Sequence, residues 1–364
     1  MSDSFDVMIL GGGVIGLTTA WHLAGRGARV AVVERGEIGR AASWAGAGII
    51  PPALEASAAS PMDRLRAWSV RLFPELSAEL FRETGMANGY VVCGGIELPD
   101  PDHPGVEPPT DEWHSSGVPV ERWSRDTLRA TAPYLAPDID RAVYLPSLAQ
   151  VRNPWHVKAL LEGCRRRGVA IREHHDARLV VCGSRVAVED IAADRVLVAA
   201  GAWSTGLLAP LGIDIPIRPV RGQMLLYRTA DAWVRPVVMQ GKRYLVPRAD
   251  GRILVGSTEE EAGFDATTTA EGLAGLAAFA RRVMPGLAGL EPERSWAGLR
   301  PGSPEGVPFL GAVPGYDNLH VACGHFRAGI QLSAATGLVM AEHLMGRELA
   351  IALEGFAPQE PRTK

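Results

Sequence analysis

The sequence predicts an α/β protein: a parallel sheet wound with helices, interleaved with a second body of antiparallel β structure. Three observations carry this prediction. An apolar run, Phe5 to Leu10, enters Gly11-x-Gly13-x-x-Gly16 and is followed by a helix-like segment. A second apolar run, Val30 to Val33, ends on Glu34. Small-residue segments then recur in the middle and at the end of the chain, with β-rich stretches between them.

The first element is the most specific. Strand, glycine-rich turn, helix and strand, in that order, form a unit that binds a dinucleotide. Gly11 permits the tight turn out of the strand. Gly13 lets the backbone approach a pyrophosphate, and Gly16 lets the helix pack close on the strand. The helix N-terminus, with Val14 and Ile15 in its first turn, offers N–H groups and partial positive charge to phosphates. Glu34 lies 18 residues past Gly16 and is placed to accept ribose hydroxyls. The motif alone does not separate NAD from FAD. The loop Gly36 to Pro52 comes next and is made almost wholly of small residues. Such a loop lets backbone amides lie flat against a ligand, and a plain linker would rarely carry Trp44 or Ile49-Ile50-Pro51-Pro52.

Later elements follow from periodicity and turns. Residues 61–84 read as a helix with Leu65, Trp68, Leu72, Leu76 and Leu80 on one face, a core stripe. Residues 90–147 mix short strand-like runs with proline-rich loops. An amphipathic helix follows Asn153-Pro154 and ends near Arg167. Val186 to Val188 and Val196 to Ala200 read as strands, the latter running into Gly201-Ala202-Trp203, small enough for a second close approach to a ligand. From about 216 to 297 the pattern is antiparallel, with a hairpin signal at Asp250-Gly251. A helix near 271–284 follows. Asn318 to Met345 reads strand, glycine-rich turn, helix.

Composition excludes several classes. The chain has 364 residues, 47% hydrophobic and 21% charged, as in an ordinary globular enzyme. The length suggests two domains of about 100–200 residues each. A net charge of −4 gives no reason to expect nucleic acid. No run approaches the ~20 apolar residues that span a membrane, and the start does not read as a secretory signal. Cys93, Cys164, Cys182 and Cys323 are widely spaced, which suits a reducing cytoplasm without disulfides. There is no HExxH, and His174-His175, read as strand neighbours, would face opposite ways; no metal site is expected.

Taken together, these segments resemble the glycine oxidase and D-amino-acid oxidase family of flavoenzymes over nearly the whole chain. The resemblance rests on Gly11 to Gly16 with Glu34, Ala41 to Ile50, Val198 to Ser204, Tyr244 to Gly256, Gly298-Leu299-Arg300-Pro301-Gly302 and Gly324 to Ile330. It implies an FAD-binding Rossmann-type domain, glutathione-reductase-like, over 1–85, 148–215 and 298–364, interleaved with an antiparallel substrate domain over 86–147 and 216–297. It implies non-covalent FAD held by Gly11, Gly13, Val14, Ile15, Gly16, Glu34, Arg35, Ala42, Ser43, Ala47, Gly48, Ile49, Ala177, Ala200, Gly201, Trp203, Arg300 and the run His325, Phe326, Arg327, Ala328, Gly329, Ile330, Gln331. The segment after Arg300 lacks the cysteine that tethers flavin in monomeric sarcosine oxidases.

The catalytic expectations are Tyr244, Arg300 and Arg327. A guanidinium fork is the natural partner of a carboxylate. Arg300 is flanked by rigid neighbours and suits a substrate carboxylate, its alternative being a surface ion pair. Tyr244 on its strand is placed to donate to the same group, or else is a core tyrosine. Arg327 belongs either near the substrate or to the structure of its turn. His325 is not assigned as a base, because hydride transfer to flavin abstracts no carbon-bound proton. Lys242 stands where the glycine oxidase pattern often has His, and is expected to favour substrates with a second acidic group. The implied activity is oxidation of glycine, sarcosine or a small D-amino acid to an imine, with oxygen as acceptor and hydrogen peroxide as product. The family's imine also feeds the thiazole of thiamine, and its members suggest a homotetramer or dimer. Three alternatives stand beside this: a D-amino-acid dehydrogenase passing electrons to a quinone, a non-catalytic FAD-binding subunit, and an NAD-dependent dehydrogenase.

Overall fold

The computed structural model describes residues 4–100, 113, 117–189, 191–230 and 235–358. Two large sheets organise these residues. The first has six strands in the order Phe309–Ala312, Leu319–Cys323, Ala193–Val198, Phe5–Leu10, Val30–Val33, Ala170–Arg172. All neighbours are parallel except the first pair. The central strand is buried on both faces, as its unbroken apolar run requires. One face carries the helices Val14–Ala24, Pro61–Thr84, Asn153–Arg166 and Gly329–Leu344, through Leu17, Leu65, Leu80, Leu160 and Val339. The other face buries Met8, Leu10, Val33, Val198 and Val321 against Val186, Leu208 and Ile215.

The second sheet has eight strands: Arg294–Gly302, Arg218–Arg228, Arg252–Gly256, Arg243–Pro247, Val237–Gln240, Gly95–Leu98, Arg141–Leu145 and Glu121–Ser124. Every neighbouring pair is antiparallel except Val237–Gln240 with Gly95–Leu98. The Asp250-Gly251 turn joins its two strands as the sequence predicts. Helix Ala270–Val283 covers one face, Leu276, Phe279 and Val283 packing on Leu225, Tyr227 and Ile253. The opposite face presents Met224, Val246 and Leu254 toward Ala47 of the small-residue loop.

The structure redraws two sequence readings. The domain boundary expected between 297 and 298 falls inside the continuous strand Arg294–Gly302, so Arg300 belongs to the antiparallel sheet. His174-His175 lie in a turn beyond Ala170–Arg172, with His174 at φ 55°, rather than on a strand. No group of three or more metal-type ligands occurs among the described residues. Helix 61–84 forms as expected. Its N-terminus carries a capping box between Ser60 and Asp63, and its C-terminus stops at Gly85.

Candidate active site

A cavity of about 970 Å³ runs from the end of the six-stranded sheet to the face of the eight-stranded one. That volume stands at the top of the range of roughly 300–1,000 Å³ for small-molecule sites, so it suits a long ligand.

The first half of the wall is backbone and small residues. Gly11 has φ +118°, and a Cβ there would meet the Ala199 carbonyl oxygen at 2.4 Å. The two strands approach so closely here that only glycine fits. Glu34 sits beside this turn, its Oε2 accepting from the Gly12 N–H at 2.9 Å and its Oε1 from Gly36 at 3.0 Å. Ser43 Oγ accepts the Val14 N–H at 2.9 Å, which ties the small-residue loop to the first helix. Arg248 braces that loop from behind, donating to the Ala47 carbonyl at 2.7 Å and to Gln150 Oε1 at 2.6 Å. Arg35 lies over the Trp203 ring at 4.0 Å, and Trp203 stacks on Phe264.

The helices Val14–Ala24 and Gly329–Leu344 both begin at this wall, and neither N-cap residue supplies a capping side chain. Neither has an acidic residue in its first turn. Their N-terminal dipoles therefore favour anionic groups in the cavity. The turn before the second helix contains Phe326 at φ 44°, a left-handed conformation that costs a non-glycine residue about 1–3 kcal/mol.

The far half is built from side chains. Arg300 stands opposite Val220 in the sheet register, and its guanidinium lies over Gly222, where a Cβ would meet Nη1 and Nη2 at 2.3 Å. Nη2 donates to Ser257 Oγ at 2.6 Å and Nη1 to the Thr258 carbonyl at 3.2 Å. No carboxylate pairs with Arg300 among the described residues. Its fork is thus fixed by neutral oxygens and keeps its charge for a ligand. Tyr244 is half-buried on the same wall, its OH donating to Met224 Sδ at 3.6 Å. Gly256 stands opposite both Tyr244 and Met224, and makes room for the two side chains.

Of the residues expected to hold a cofactor, Gly16, Ala328 and Gln331 are off the cavity wall and the others are on it. Gly16 serves packing, since a Cβ there would meet the Gly11 carbonyl oxygen at 2.1 Å. Gln331 points away and donates to the Pro51 carbonyl at 2.9 Å. Arg327 reaches the wall, but its guanidinium is engaged by Glu259. Lys242 also reaches it, and its Nζ lies 3.2 Å from the same carboxylate. His325 is buried against Thr336 Oγ1, and burial pushes its pKa down to about 3. Such an imidazole is neutral at physiological pH. Cys323 borders the cavity, and burial pushes its thiol up to about 12.

The sequence reading missed Gly222, Ser257, Glu259, Phe264 and His175. The acidic run Glu259-Glu260-Glu261 directly after a predicted strand was the one local signal available for any of them.

This fold and this cavity define a dinucleotide-binding flavoenzyme scaffold, with an anionic cofactor's cradle at one end and a cationic ligand pocket at the other. A family model described as FAD dependent oxidoreductase matches residues 6–343, and the chain belongs to that family. It is 40% identical to the glycine oxidase of Pseudomonas aeruginosa over 362 residues, 97% of this chain and 98% of that protein. It is 33% identical to the bifunctional protein ThiO/ThiG of Synechocystis over 99% of this chain and 54% of that one. The crystal structure of glycine oxidase from Geobacillus kaustophilus superposes with a TM-score of 0.91 at 32% identity, covering 100% of both chains.

Proposed function

We propose that this enzyme oxidises glycine and other small amino acids, including sarcosine and D-amino acids, at the carbon bearing the amine. The observation that carries the reading is Arg300: an unpaired guanidinium, held by Ser257 and Thr258, facing the cavity beside Tyr244. Bound FAD supplies the acceptor for a hydride from the substrate's α-carbon. The small-residue wall fits that cofactor, because Gly11 leaves no space for a Cβ and two helix N-termini with no acidic residue in the first turn meet the cavity.

Arg300 binds the substrate carboxylate through two parallel charge-assisted bonds, and the Tyr244 hydroxyl turns from Met224 to donate a third. This fixes the α-carbon in one orientation, and position then supplies most of the rate. His325, buried and neutral, does not serve as a base for a carbon-bound proton. The amine enters in its neutral form, and the product imine hydrolyses to an oxo-acid and ammonia or amine. Oxygen is the final acceptor and yields hydrogen peroxide.

FAD is non-covalent, since the segment after Arg300 carries no cysteine and Cys323 is buried. The catalytic set is Tyr244 and Arg300, with Arg327 at the rim. The FAD-binding domain comprises 1–85, 148–215 and 303–364, and the substrate domain takes 86–147 and 216–302. The enzyme is a cytoplasmic homo-oligomer, and its imine serves thiazole formation for thiamine. Among the described residues, no helix is long and apolar enough to cross a membrane.

A peroxide assay over a panel of small amino acids tests the activity, paired with anaerobic bleaching of the flavin bands. Bleaching and peroxide with glycine or sarcosine support it. Bleaching without peroxide under air points to a dehydrogenase, and a flavin that no amino acid bleaches overturns catalysis.

A further inference from the structure

The rim of the cavity carries an ionic arrangement that the proposed chemistry does not use. Strand Arg252–Gly256 runs out into Ser257-Thr258-Glu259-Glu260-Glu261, three successive carboxylates. Each has a different cationic partner. Glu260 Oε2 accepts from Arg221 Nη2 at 2.5 Å, and its backbone pairs with Arg221 in both directions at 2.9 and 3.0 Å. Glu261 meets Arg218 Nε at 2.9 Å. The Thr258 hydroxyl accepts from the Gln223 N–H at 2.9 Å. The chain on both sides of Glu259 is therefore pinned to the antiparallel sheet.

Glu259 itself turns to the rim. Its Oε1 lies 3.2 Å from Lys242 Nζ, and its Oε2 accepts from Arg327 Nη2. Both cations line the cavity that contains Arg300 and Tyr244. Burial raises the Glu259 carboxyl, but the bonds from Arg327 and Lys242 outweigh it, leaving the group below the usual carboxylate range. One fixed anion thus spans two cations that approach from different parts of the fold.

We propose that Glu259 is a specificity-determining residue that masks Lys242 and Arg327 and so restricts the pocket to amines with a single carboxylate. Arg300 takes the first carboxylate, an assignment that rests on the oxidase reading above. A second acidic group reaching the rim meets two cations on the cavity wall whose charge Glu259, off that wall, already offsets. Lys242 taken alone points the other way, toward acidic substrates. Its partner cancels that preference, because the carboxylate already offsets the charge of both cations. Removing the Glu259 charge leaves two adjacent cations free to receive a second carboxylate.

The test is Glu259→Gln, which keeps the side-chain shape and removes the charge. Glycine and iminodiacetate serve as oxidisable probes. Butyrate and glutarate serve as non-oxidisable ones, with binding read calorimetrically on the FAD-loaded enzyme. The iminodiacetate-to-glycine ratio of kcat/KM is expected to rise about tenfold, from two exposed pairs each of modest strength. The glutarate-to-butyrate affinity ratio rises in parallel, and both gains shrink at high salt. Glu259→Asp keeps the wild-type ratios. A purely structural role would move the mono- and diacid probes together. Unchanged ratios in a variant that still oxidises glycine overturn the inference and leave the oxidase reading intact. If the wild-type protein oxidises no amine, the oxidase reading falls, and the affinity ratio still decides the role of Glu259.

Discussion

The two halves of the cavity are made in different ways. The cofactor half is a surface of backbone, glycine and helix ends, built from Gly11, Gly13 and the N-termini of Val14–Ala24 and Gly329–Leu344. The far half is a surface of long charged side chains, Arg300, Lys242 and Arg327, the first held by Ser257 and the other two by Glu259. The helices tell the same story. Pro61–Thr84 and Ala270–Val283, away from the cavity, are capped by Ser60 and Thr269. The two that face it lack a cap at their own N-cap residue. In the first of them the Ser43 hydroxyl from the small-residue loop takes the Val14 N–H instead.

Breaking the backbone half has the largest expected effect. Gly11→Val places a branched side chain at φ +118° and against the Ala199 carbonyl, which lies 2.4 Å from even a Cβ. The expected cost is ~3 kcal/mol or more. The purified variant should be colourless and melt at lower temperature than wild type. A yellow variant with full flavin content would mean that this turn is not the cofactor cradle.

Breaking the side-chain half should spare the flavin. Arg300→Gln removes the fork, and a charge-assisted pair of bonds is worth about 3 kcal/mol, or about a hundredfold in kcat/KM. Flavin content and spectrum stay those of wild type. Gly222→Ala refines this without touching a charged group. Its Cβ would overlap the Arg300 guanidinium at 2.3 Å, so the fork must move while the charge remains. The expectation is a rise in KM of about tenfold with kcat less affected, as for a carboxylate site knocked out of line. A variant with unchanged KM would show that Arg300 does not bind substrate in the observed position.

The same contrast explains what could be read from the sequence. Gly11, Gly13, Glu34 and the loop Ala41 to Ile50 were legible because their chemistry is local: a short run of residues makes one surface. Tyr244 and Arg300 were legible only through family resemblance, since 56 residues separate them and the antiparallel register brings them to one wall. Gly222 and Ser257 were invisible for that reason. They matter through their distance to Arg300, and pairing of Val220 with Arg300 sets that distance. The pairing of Lys242 with Glu259 was equally out of reach, because 17 positions separate them in the chain. The boundary placed at 298 failed because the motif around Arg300 was grouped by chemistry with the cofactor segments, whereas its backbone completes the antiparallel sheet.

His325 stands where the two halves meet and should give the smallest effect on rate. Its ring is buried, bonded to Thr336 Oγ1, and lowered from 6.5 to about 3 by burial. A neutral imidazole of that kind takes no proton at pH 7, whereas a true general base contributes about 10²–10⁴-fold. His325→Gln is therefore expected to keep kcat within about threefold of wild type and to leave the pH profile between 5 and 8 unmoved. Its stability should respond differently. The unfolded chain protonates His325 below about 6.5 while the folded chain resists until about 3, so wild type loses stability as pH falls through that window. The glutamine variant lacks this penalty. Whatever its deficit in melting temperature at pH 7.5, the gap should narrow at pH 5. A gap that widens on acidification would place a protonated, partnered imidazole in the folded state, and with it a candidate acid at the junction of cofactor and substrate.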